Sequence, residues 1–193
     1  NEEYALATGV QKLDDKMLYG WDLPNYWKVV FGESIIVNFY KKIYSRTKFN
    51  IGRKNIITPD VISGCFFVIK LDVFKKVNYF DENVFLYYEE TDLCKRLAKI
   101  DKFAYLIPEA HFIHYHGIST PKSLAIKIEL KISLLYVIRK HYSYFAFKFL
   151  LTYLQIQYFI KSIFKPKYWK LFYVLLIGAP LSKSLKTKQI IKP

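Results

Sequence analysis

The sequence predicts an α/β domain followed by a set of α-helices, and two patterns support this fold class. Between residues 61 and 107, strand-like and helix-like patterns alternate, which is typical of an α/β arrangement. After residue 121, apolar residues recur at helical spacing. A chain of 193 residues is long enough to bury a hydrophobic core. We therefore expect two parts, residues 1–121 and residues 122–193.

The informative region of the α/β part begins with a strand predicted over residues 61–69. Both alternating faces of this stretch are apolar, as in a strand that is buried on both sides. Gly64 interrupts it, and a glycine inside a strand often marks the close approach of a backbone or a ligand. Asp72 is suited to cap a short helix that follows. A second strand is predicted over residues 103–107, closed by Pro108.

An acidic cluster lies between these strands. An apolar and aromatic run ends in three carboxylates, Glu89, Glu90 and Asp92, and Leu93 and Leu97 then lie one helical turn apart. Carboxylates fit the first turn of a helix because its free backbone N–H groups and its dipole favour negative charge. One interpretation is therefore a well-started helix. The other is a general base held at a helix start beside an aromatic wall.

Composition limits the kind of partner. The net charge is +14 and 19% of the residues are aromatic, which together indicate nucleic acid, a membrane surface or a phosphorylated substrate. Nucleic-acid binding would leave the acidic cluster unexplained and no such motif is present, so we expect no nucleic-acid partner. Cys65 and Cys94 stand in apolar surroundings, which indicates buried thiols in a reducing compartment. The chain opens without a signal-peptide pattern.

Three histidines follow the second predicted strand. On a strand, His114 and His116 would point to one face and His111 to the other. Two imidazoles on one face can bind one metal ion. The alternative is that these histidines are exposed or hydrogen-bonded within the fold.

The last 72 residues combine helical periodicity with aromatic and basic side chains. One helical face is formed by Leu124, Ile128, Ile132, Leu135 and Ile138, although alternation over residues 125–134 leaves a strand open. Residues 142–164 form an apolar run that approaches the length needed to span a bilayer. Its lysines and glutamines are costly in hydrocarbon. We expect a helix lying in the interface of an anionic membrane, with a packed helix or a true span as alternatives.

Five blocks of sequence resemble family 2 glycosyltransferases of the rhamnosyltransferase-like kind. Their order and spacing together establish the resemblance, which covers residues 55–121. The blocks are Ser63–Lys70, Asn78–Glu82, Phe85–Leu97, Ile107–Ala110 and His114–Ser119. The resemblance implies the GT-A fold, of which this chain would hold the acceptor-side half followed by C-terminal α-helices. It also implies a position at the cytoplasmic face of the bacterial inner membrane, and the aromatic and basic side chains of residues 142–193 favour peripheral attachment there.

The same resemblance implies an inverting transferase. Such an enzyme moves a sugar from a nucleotide-sugar donor to a hydroxyl of a polyprenyl-linked or growing surface glycan. Its pattern Glu-Asp-x-Asp corresponds to residues 89–92, so Glu90 is the expected catalytic base and Asp92 the second catalytic candidate. His114 is the expected ligand of Mg²⁺ or Mn²⁺. We expect substrate contacts from Gly64, Asp81, Tyr88, Glu89 and Arg96.

Three features depart from the family pattern. Glu90 is one methylene longer than the usual aspartate, and Asn78 and Tyr79 stand where two glycines are usual. The sequence also contains no Asp-x-Asp, the metal motif of the nucleotide-binding half. We therefore expect an incomplete catalytic domain. The alternative role is a catalytically inactive, membrane-associated fragment or scaffold.

Overall fold

The computed structural model describes residues 4–13, 16–18, 61–113 and 123–189. The chain divides into two compact units. The first contains residues 1–81 and 90–116, and the second contains residues 82–89 and 117–193. This division differs from the predicted one chiefly in residues 82–89, which group with the helices.

Strand β1 (Tyr4–Leu13) is the centre of the sheet in the first unit. It pairs antiparallel with β2 (Lys16–Leu18) and with β3 (Val68–Ile69), and parallel with β4 (Phe103–Ile113). A mixed sheet of this kind needs a crossover to bring its parallel strands side by side. Two helices between β3 and β4 lie in that connection, α1 (Leu71–Lys76) and α2 (Glu89–Ala98).

The predicted strand over residues 61–69 was wrong in its extent. Only Val68 and Ile69 form a strand, and a turn at Gly64 and Cys65 separates them from the buried Val61 and Ile62. Thr8 Oγ1 in β1 donates to the turn's Phe66 carbonyl at 2.6 Å. The turn leaves Cys65 exposed, so the prediction of two buried thiols held only for Cys94.

Two local predictions around these elements were also wrong. Asp72 does not cap α1: Lys70 is the N-cap residue, with no side-chain cap bond, and Asp72 lies in the first turn. Pro108 does not close β4, which continues to Ile113. Adjacent residues of β1 pair with Ile107 and with His111, so the residues between these two in β4 have no partner on β1. Pro108 therefore lies in a bulge, where no ladder N–H is needed.

The core of the first unit lies between the sheet and its two helices. Leu93, Cys94 and Leu97 on α2 pack with Leu6 of β1 and Ala104 of β4. All five side chains are less than 9% exposed, and burial of this kind contributes about 25 cal/mol per Å² of apolar surface. This packing fixes α2, whose first turn bears the acidic cluster.

The second unit contains three long or medium helices: α3 (Leu124–His141), α4 (Tyr144–Phe164) and α5 (Trp169–Leu176). The predicted helical interpretation of residues 124–138 is therefore confirmed over the strand alternative. Ser123 and Ser143 cap α3 and α4, each accepting a backbone N–H bond at 3.2 Å. A 3₁₀ turn (Pro166–Tyr168) joins α4 to α5, and Gly178 adopts a φ of 88° just after α5.

The three helices pack through one face of α4. Its buried side chains include Leu150, Leu151 and Leu154, while Gln155 Nε2 donates to the Leu175 carbonyl of α5 at 2.9 Å. Within the described residues, none of the helices has both the length and the apolar character that crossing a bilayer requires.

Residues 82–89 are anchored to α3 inside the second unit. Ser133 Oγ donates to the Leu86 carbonyl at 2.8 Å, and Asn83 Nδ2 donates to Tyr136 Oη at 3.2 Å. Ser133 is almost fully buried, so its bond to Leu86 is shielded from water. The stretch that leads into α2 is thus held by side chains of α3.

Glu129 of α3 holds the C-terminal segment of the second unit. Its carboxylate is 1% exposed and accepts the Ser184 hydroxyl at 2.8 Å and the Leu185 N–H at 2.7 Å. The Leu185 N–H belongs to the start of a 3₁₀ turn (Leu185–Lys188), where a carboxylate satisfies an otherwise free donor. Burial of this charge is tolerated because both donors are supplied together.

We predict that Glu129→Ala lowers the free energy of unfolding by about 2 kcal/mol, because it removes the acceptor of the buried Ser184 hydroxyl and of the partly buried Leu185 N–H. Urea unfolding followed by circular dichroism would measure the change. Glu109→Ala, which removes an exposed carboxylate from β4, is the control and should change stability little. Equal stability of the Glu129→Ala variant and the unmodified protein would contradict the assigned role.

Candidate functional site

The candidate site is organised around the first turn of α2. Helix α2 begins at Glu89, and the two residues before it, Tyr87 and Tyr88, have φ values of 66° and 70°. Non-glycine residues rarely adopt the left-handed region, and strain of this kind concentrates at functional sites. The consecutive left-handed tyrosines turn the chain sharply into the helix. They thereby determine where the carboxylates of the first turn begin.

Glu90 lies beside the backbone of Gly64 in the first unit. A methyl group placed on Gly64 would lie 3.5 Å from the carboxyl carbon and Oε2 of Glu90, and 3.6 Å from Oε1. The sequence predicted that a backbone or a ligand approaches Gly64 within a strand; the structure instead has Gly64 in a turn, with the Glu90 side chain as its neighbour. Glu90 is half-buried and its Oε2 is shielded from water, so its carboxylate is partly desolvated. A carboxylate in this setting can accept a proton from a bound hydroxyl.

Asp92 is bonded to another predicted site residue. Arg96 Nε donates to Asp92 Oδ2 at 2.7 Å, one helical turn along α2, and the Asp92 side chain is 1% exposed. Arg96 also donates to the Val77 carbonyl, and its Nη2 is buried without a hydrogen bond to a described residue. Asp92 and Arg96 thus tie α2 to the end of α1. Sequence reasoning did not find Val77, because a backbone carbonyl leaves no signal in the residue type.

Glu89 is the first residue of α2 and belongs to the stretch that groups with the helical unit. Burial raises the pKa of the Glu89 carboxyl, and a hydrogen bond with its own backbone offsets this only in part. Its Oε2 is buried and accepts no hydrogen bond from a described residue. A carboxyl with a raised pKa holds its proton at higher pH than an ordinary glutamate does.

The remaining predicted site residues lie close in sequence to this turn. Asp81 is half-buried in the loop before residues 82–89, and Tyr88 is half-buried directly before α2. The structure therefore pairs Gly64 with Glu90 and Asp92 with Arg96. Ser133 was missed as a positioning residue, since a serine inside a helical pattern gives no indication of a distant backbone partner.

The predicted metal ligand cannot be placed, because His114 lies outside the described residues, as does His116. His111 is exposed on β4. Over residues 61–113 and 123–189 and the described parts of β1 and β2, no three His, Cys, Asp or Glu side chains come together as a possible metal site. The expected Mg²⁺ or Mn²⁺ ion therefore gains no support from these side chains.

Comparison with known proteins gives one significant relative. The chain is 34% identical over 110 residues to rhamnosyltransferase WbbL of Escherichia coli strain K12. The alignment covers 54% of this chain and 40% of the relative, so the chain spans about two fifths of the relative's length. No protein-family model and no solved structure matches the chain. The similarity relates the chain to glycosyltransferases at a general level.

Proposed function

We propose that the protein is an inverting glycosyltransferase that moves a sugar from a nucleotide-sugar donor to a hydroxyl of a lipid-linked or growing surface glycan. The observation that carries this proposal is the Glu90 carboxylate, held at the start of α2 against Gly64. The similarity to a rhamnosyltransferase supports the same reaction class.

In this proposal Glu90 is the general base. An acceptor hydroxyl is a poor nucleophile, and a carboxylate that takes its proton as the C–O bond forms makes the attack possible. Asp92 is a weaker candidate, because its side chain is buried and bonded to Arg96. Burial raises the pKa of Glu89, which would make it a stronger base once ionised, and both glutamates are half-buried with a buried Oε2. Glu90 is preferred because its carboxylate has a defined place beside Gly64.

Substrate binding is assigned to the residues around this base. The Tyr88 ring is half-buried and offers an apolar surface of the kind that stacks on a sugar. Asp81, Glu89 and Gly64 are proposed to contact the acceptor or donor. Arg96 bonds Asp92 and Val77 and its Nη2 is buried, which favours a positioning role over the predicted substrate contact.

A divalent metal remains part of the proposal. Mg²⁺ or Mn²⁺ would stabilise the negative charge that develops on the leaving diphosphate. His114 would contribute one ligand.

We also propose that the second unit attaches the enzyme peripherally to an anionic membrane, at the cytoplasmic face of the inner membrane. Helix α4 exposes an apolar stripe opposite its buried face, with only Thr152 as a polar member: Phe145, Phe149, Ile156, Ile160 and Ile163. A helix that is apolar on both faces is normally covered on both. On α5, Trp169 and Phe172 continue this surface, packing with Phe159 in one aromatic cluster.

The charge of the surrounding unit favours anionic lipid over a protein partner or a second copy of the chain. Over residues 123–189 there are twelve lysines and arginines and one carboxylate, the buried Glu129. Basic residues near an anionic surface contribute about 1 kcal/mol each, and aromatic rings favour the headgroup boundary. A second copy would instead bring like charges together.

The alternative function is a catalytically inactive membrane-associated scaffold. It shares the membrane surface with the proposal above and differs in the role of the acidic cluster. Turnover that depends on Glu90 therefore separates the two.

We predict that Glu90→Gln lowers turnover by ~100-fold or more in the protein that carries this chain, while donor affinity stays nearly unchanged. The amide keeps the shape of the side chain and loses the ability to accept the proton. Glu90→Asp is the matched control, because it keeps a carboxylate and should retain much of the activity. Steady-state kinetics with a radiolabelled sugar donor would provide both values.

The pH profile tests the choice between the two glutamates. If Glu89 were the base, the acidic limb of kcat/KM would lie above the usual carboxylate range, because burial raises the pKa of Glu89 and the base works only when ionised. Two results together would identify Glu89 as the general base. Glu90→Gln would keep full turnover, and the acidic limb of kcat/KM above the usual carboxylate range would disappear in Glu89→Gln.

We predict that His114→Ala raises the Mg²⁺ or Mn²⁺ concentration needed for half-maximal turnover by about tenfold, because a ligand is lost from the metal shell. Metal titration of turnover would measure it, and tryptophan fluorescence during the same titration would report binding without chemistry. His111→Ala, on the exposed part of β4, is the control. An unchanged metal requirement in His114→Ala would exclude this ligand.

For the membrane surface, we predict that Phe145→Ser with Ile156→Ser weakens binding to phosphatidylglycerol vesicles about tenfold, because two apolar side chains no longer insert. Flotation at low and high salt would measure it, and binding should also weaken with salt. Val68→Ser with Leu71→Ser removes exposed apolar side chains from the first unit and serves as the control. Retention of the native protein on membranes after carbonate washing would contradict peripheral attachment.

A further inference from the structure

A second basic feature of the helical unit is a cluster of lysines around two tyrosines. Two lysines lie one turn apart on α3, one lies in the last turn of α4, and two lie at or just before the 3₁₀ turn that follows. These residues, which we call the lysine cluster, are Lys127, Lys131, Lys161, Lys165 and Lys167, with Tyr158 and Tyr168 between them.

Contacts connect most of this cluster. Lys127 Nζ donates to Tyr168 Oη at 3.2 Å and lies 5.4 Å from the centre of the same ring. Lys167 Nζ also lies close to this ring, 5.7 Å from its centre. The rings of Tyr158 and Tyr168 have centres 5.8 Å apart, and Lys161 Nζ lies 5.0 Å from the Tyr158 ring centre. Three ammonium groups and two tyrosine rings from α3, α4 and the 3₁₀ turn thus meet in one place.

The charges in this place are not balanced by a carboxylate. Glu129 is the only acidic residue in the described part of the chain after residue 122, and its two oxygens accept bonds from Ser184 and Leu185. Burial lowers the pKa of the Lys131 ammonium, and the charge of Lys161 lowers it further. The hydrogen bond from Lys127 lowers the pKa of the Tyr168 hydroxyl, and the nearby lysine charges act in the same direction.

Helix electrostatics explain only part of the cluster. Lys161 and Lys165 lie at the C-terminal end of α4, where cations are favoured. Lys127 lies in the first turn of α3, where the helix dipole disfavours a cation, and no acidic residue lies in that turn. The positive end of α3 therefore adds to the lysine charges. Such an arrangement is unfavourable alone and becomes favourable when an anion is bound.

We propose that the lysine cluster binds a phosphate or diphosphate group. Lysine ammonium groups bind phosphate oxygens through charge-assisted hydrogen bonds. The Tyr168 hydroxyl accepts a bond from Lys127, so its own proton is available for a phosphate oxygen. Lys127, Lys161, Lys165 and Lys167 are exposed, so an anion can reach them from solvent. This site does not depend on the proposed transferase chemistry.

The phosphate can come from a soluble molecule or from a lipid headgroup. The geometry of α4 separates the lysine cluster from the apolar stripe, because each residue advances about 100° around a helix. Lys161 consequently lies on the far side of α4 from Phe145, Ile156 and Ile163. The lysine cluster and the membrane-facing stripe are thus two different surfaces of one unit, and substitutions can test them separately.

The experiment uses inorganic pyrophosphate as the probe and the protein that carries this chain. Isothermal titration should give saturable binding of one pyrophosphate. Lys127→Ala with Lys165→Ala should weaken it at least about tenfold, since two charge-assisted bonds are lost. Lys183→Ala with Lys188→Ala removes the same charge from exposed positions in the same unit and should change the affinity less than about twofold. Circular dichroism would check that both variants keep their helices.

A second arm separates the two sources of phosphate. Phosphatidylglycerol vesicles are floated with and without pyrophosphate, using the same two double variants. Vesicle binding that pyrophosphate displaces, and that the Lys127/Lys165 variant weakens more than the Lys183/Lys188 variant, supports the site with a lipid headgroup as its ligand. Pyrophosphate binding without an effect on vesicles supports the site with a soluble ligand. Equal losses in both variants, or no saturable pyrophosphate binding, would overturn the proposal.

Discussion

The conformation of residues 82–89 is the constraint on which the candidate site depends. Tyr87 and Tyr88 are left-handed immediately before α2, and each such residue costs about 1–2 kcal/mol relative to a right-handed one. The bonds from Ser133 to Leu86 and from Asn83 to Tyr136 hold this stretch on α3 within the helical unit. Tertiary contacts with α3 therefore maintain a backbone that its own sequence disfavours. The position of Glu89, the last residue of this stretch, follows from them.

From that start, helical geometry gives three neighbouring carboxylates three different environments. Successive residues point about 100° apart, so Glu89, Glu90 and Asp92 cannot share one ligand-facing direction. Asp92 turns toward Arg96 and becomes part of the packing between α2 and α1. Glu90 turns toward Gly64, where a methyl group would lie in van der Waals contact with its carboxylate. The carboxylates that form one acidic cluster in the sequence therefore have different roles: Asp92 stabilises the packing of α2, and Glu90 is the candidate base.

The sequence predicted the elements whose pattern is local and missed those that depend on partners. The helix after the acidic cluster and the helical character of residues 124–138 are visible in local apolar spacing, and Ser123 caps the second of these helices. The strand at residues 61–69 was overestimated because an apolar run does not reveal the turn at Gly64 and Cys65. The extent of β4 past Pro108 depends on a bulge opposite β1, and pairing register is not visible in one strand. For the site, the sequence identified Gly64 and Glu90 as candidate residues but did not show that they lie side by side.

Composition likewise indicated an anionic partner without showing how the positive charge is arranged. The first 121 residues are close to neutral, with sixteen basic and fifteen acidic residues, so nearly all of the net charge of +14 belongs to the remainder. In the helical unit that charge is not spread evenly over one amphipathic face. The lysine cluster lies around Tyr158 and Tyr168, whereas the exposed stripe of α4 is bordered by a single cation, Lys148. An interfacial helix normally combines basic and apolar residues along a single boundary. Their separation on α4 means that attachment to a surface and recognition of a phosphate can act through different sides of the same helix.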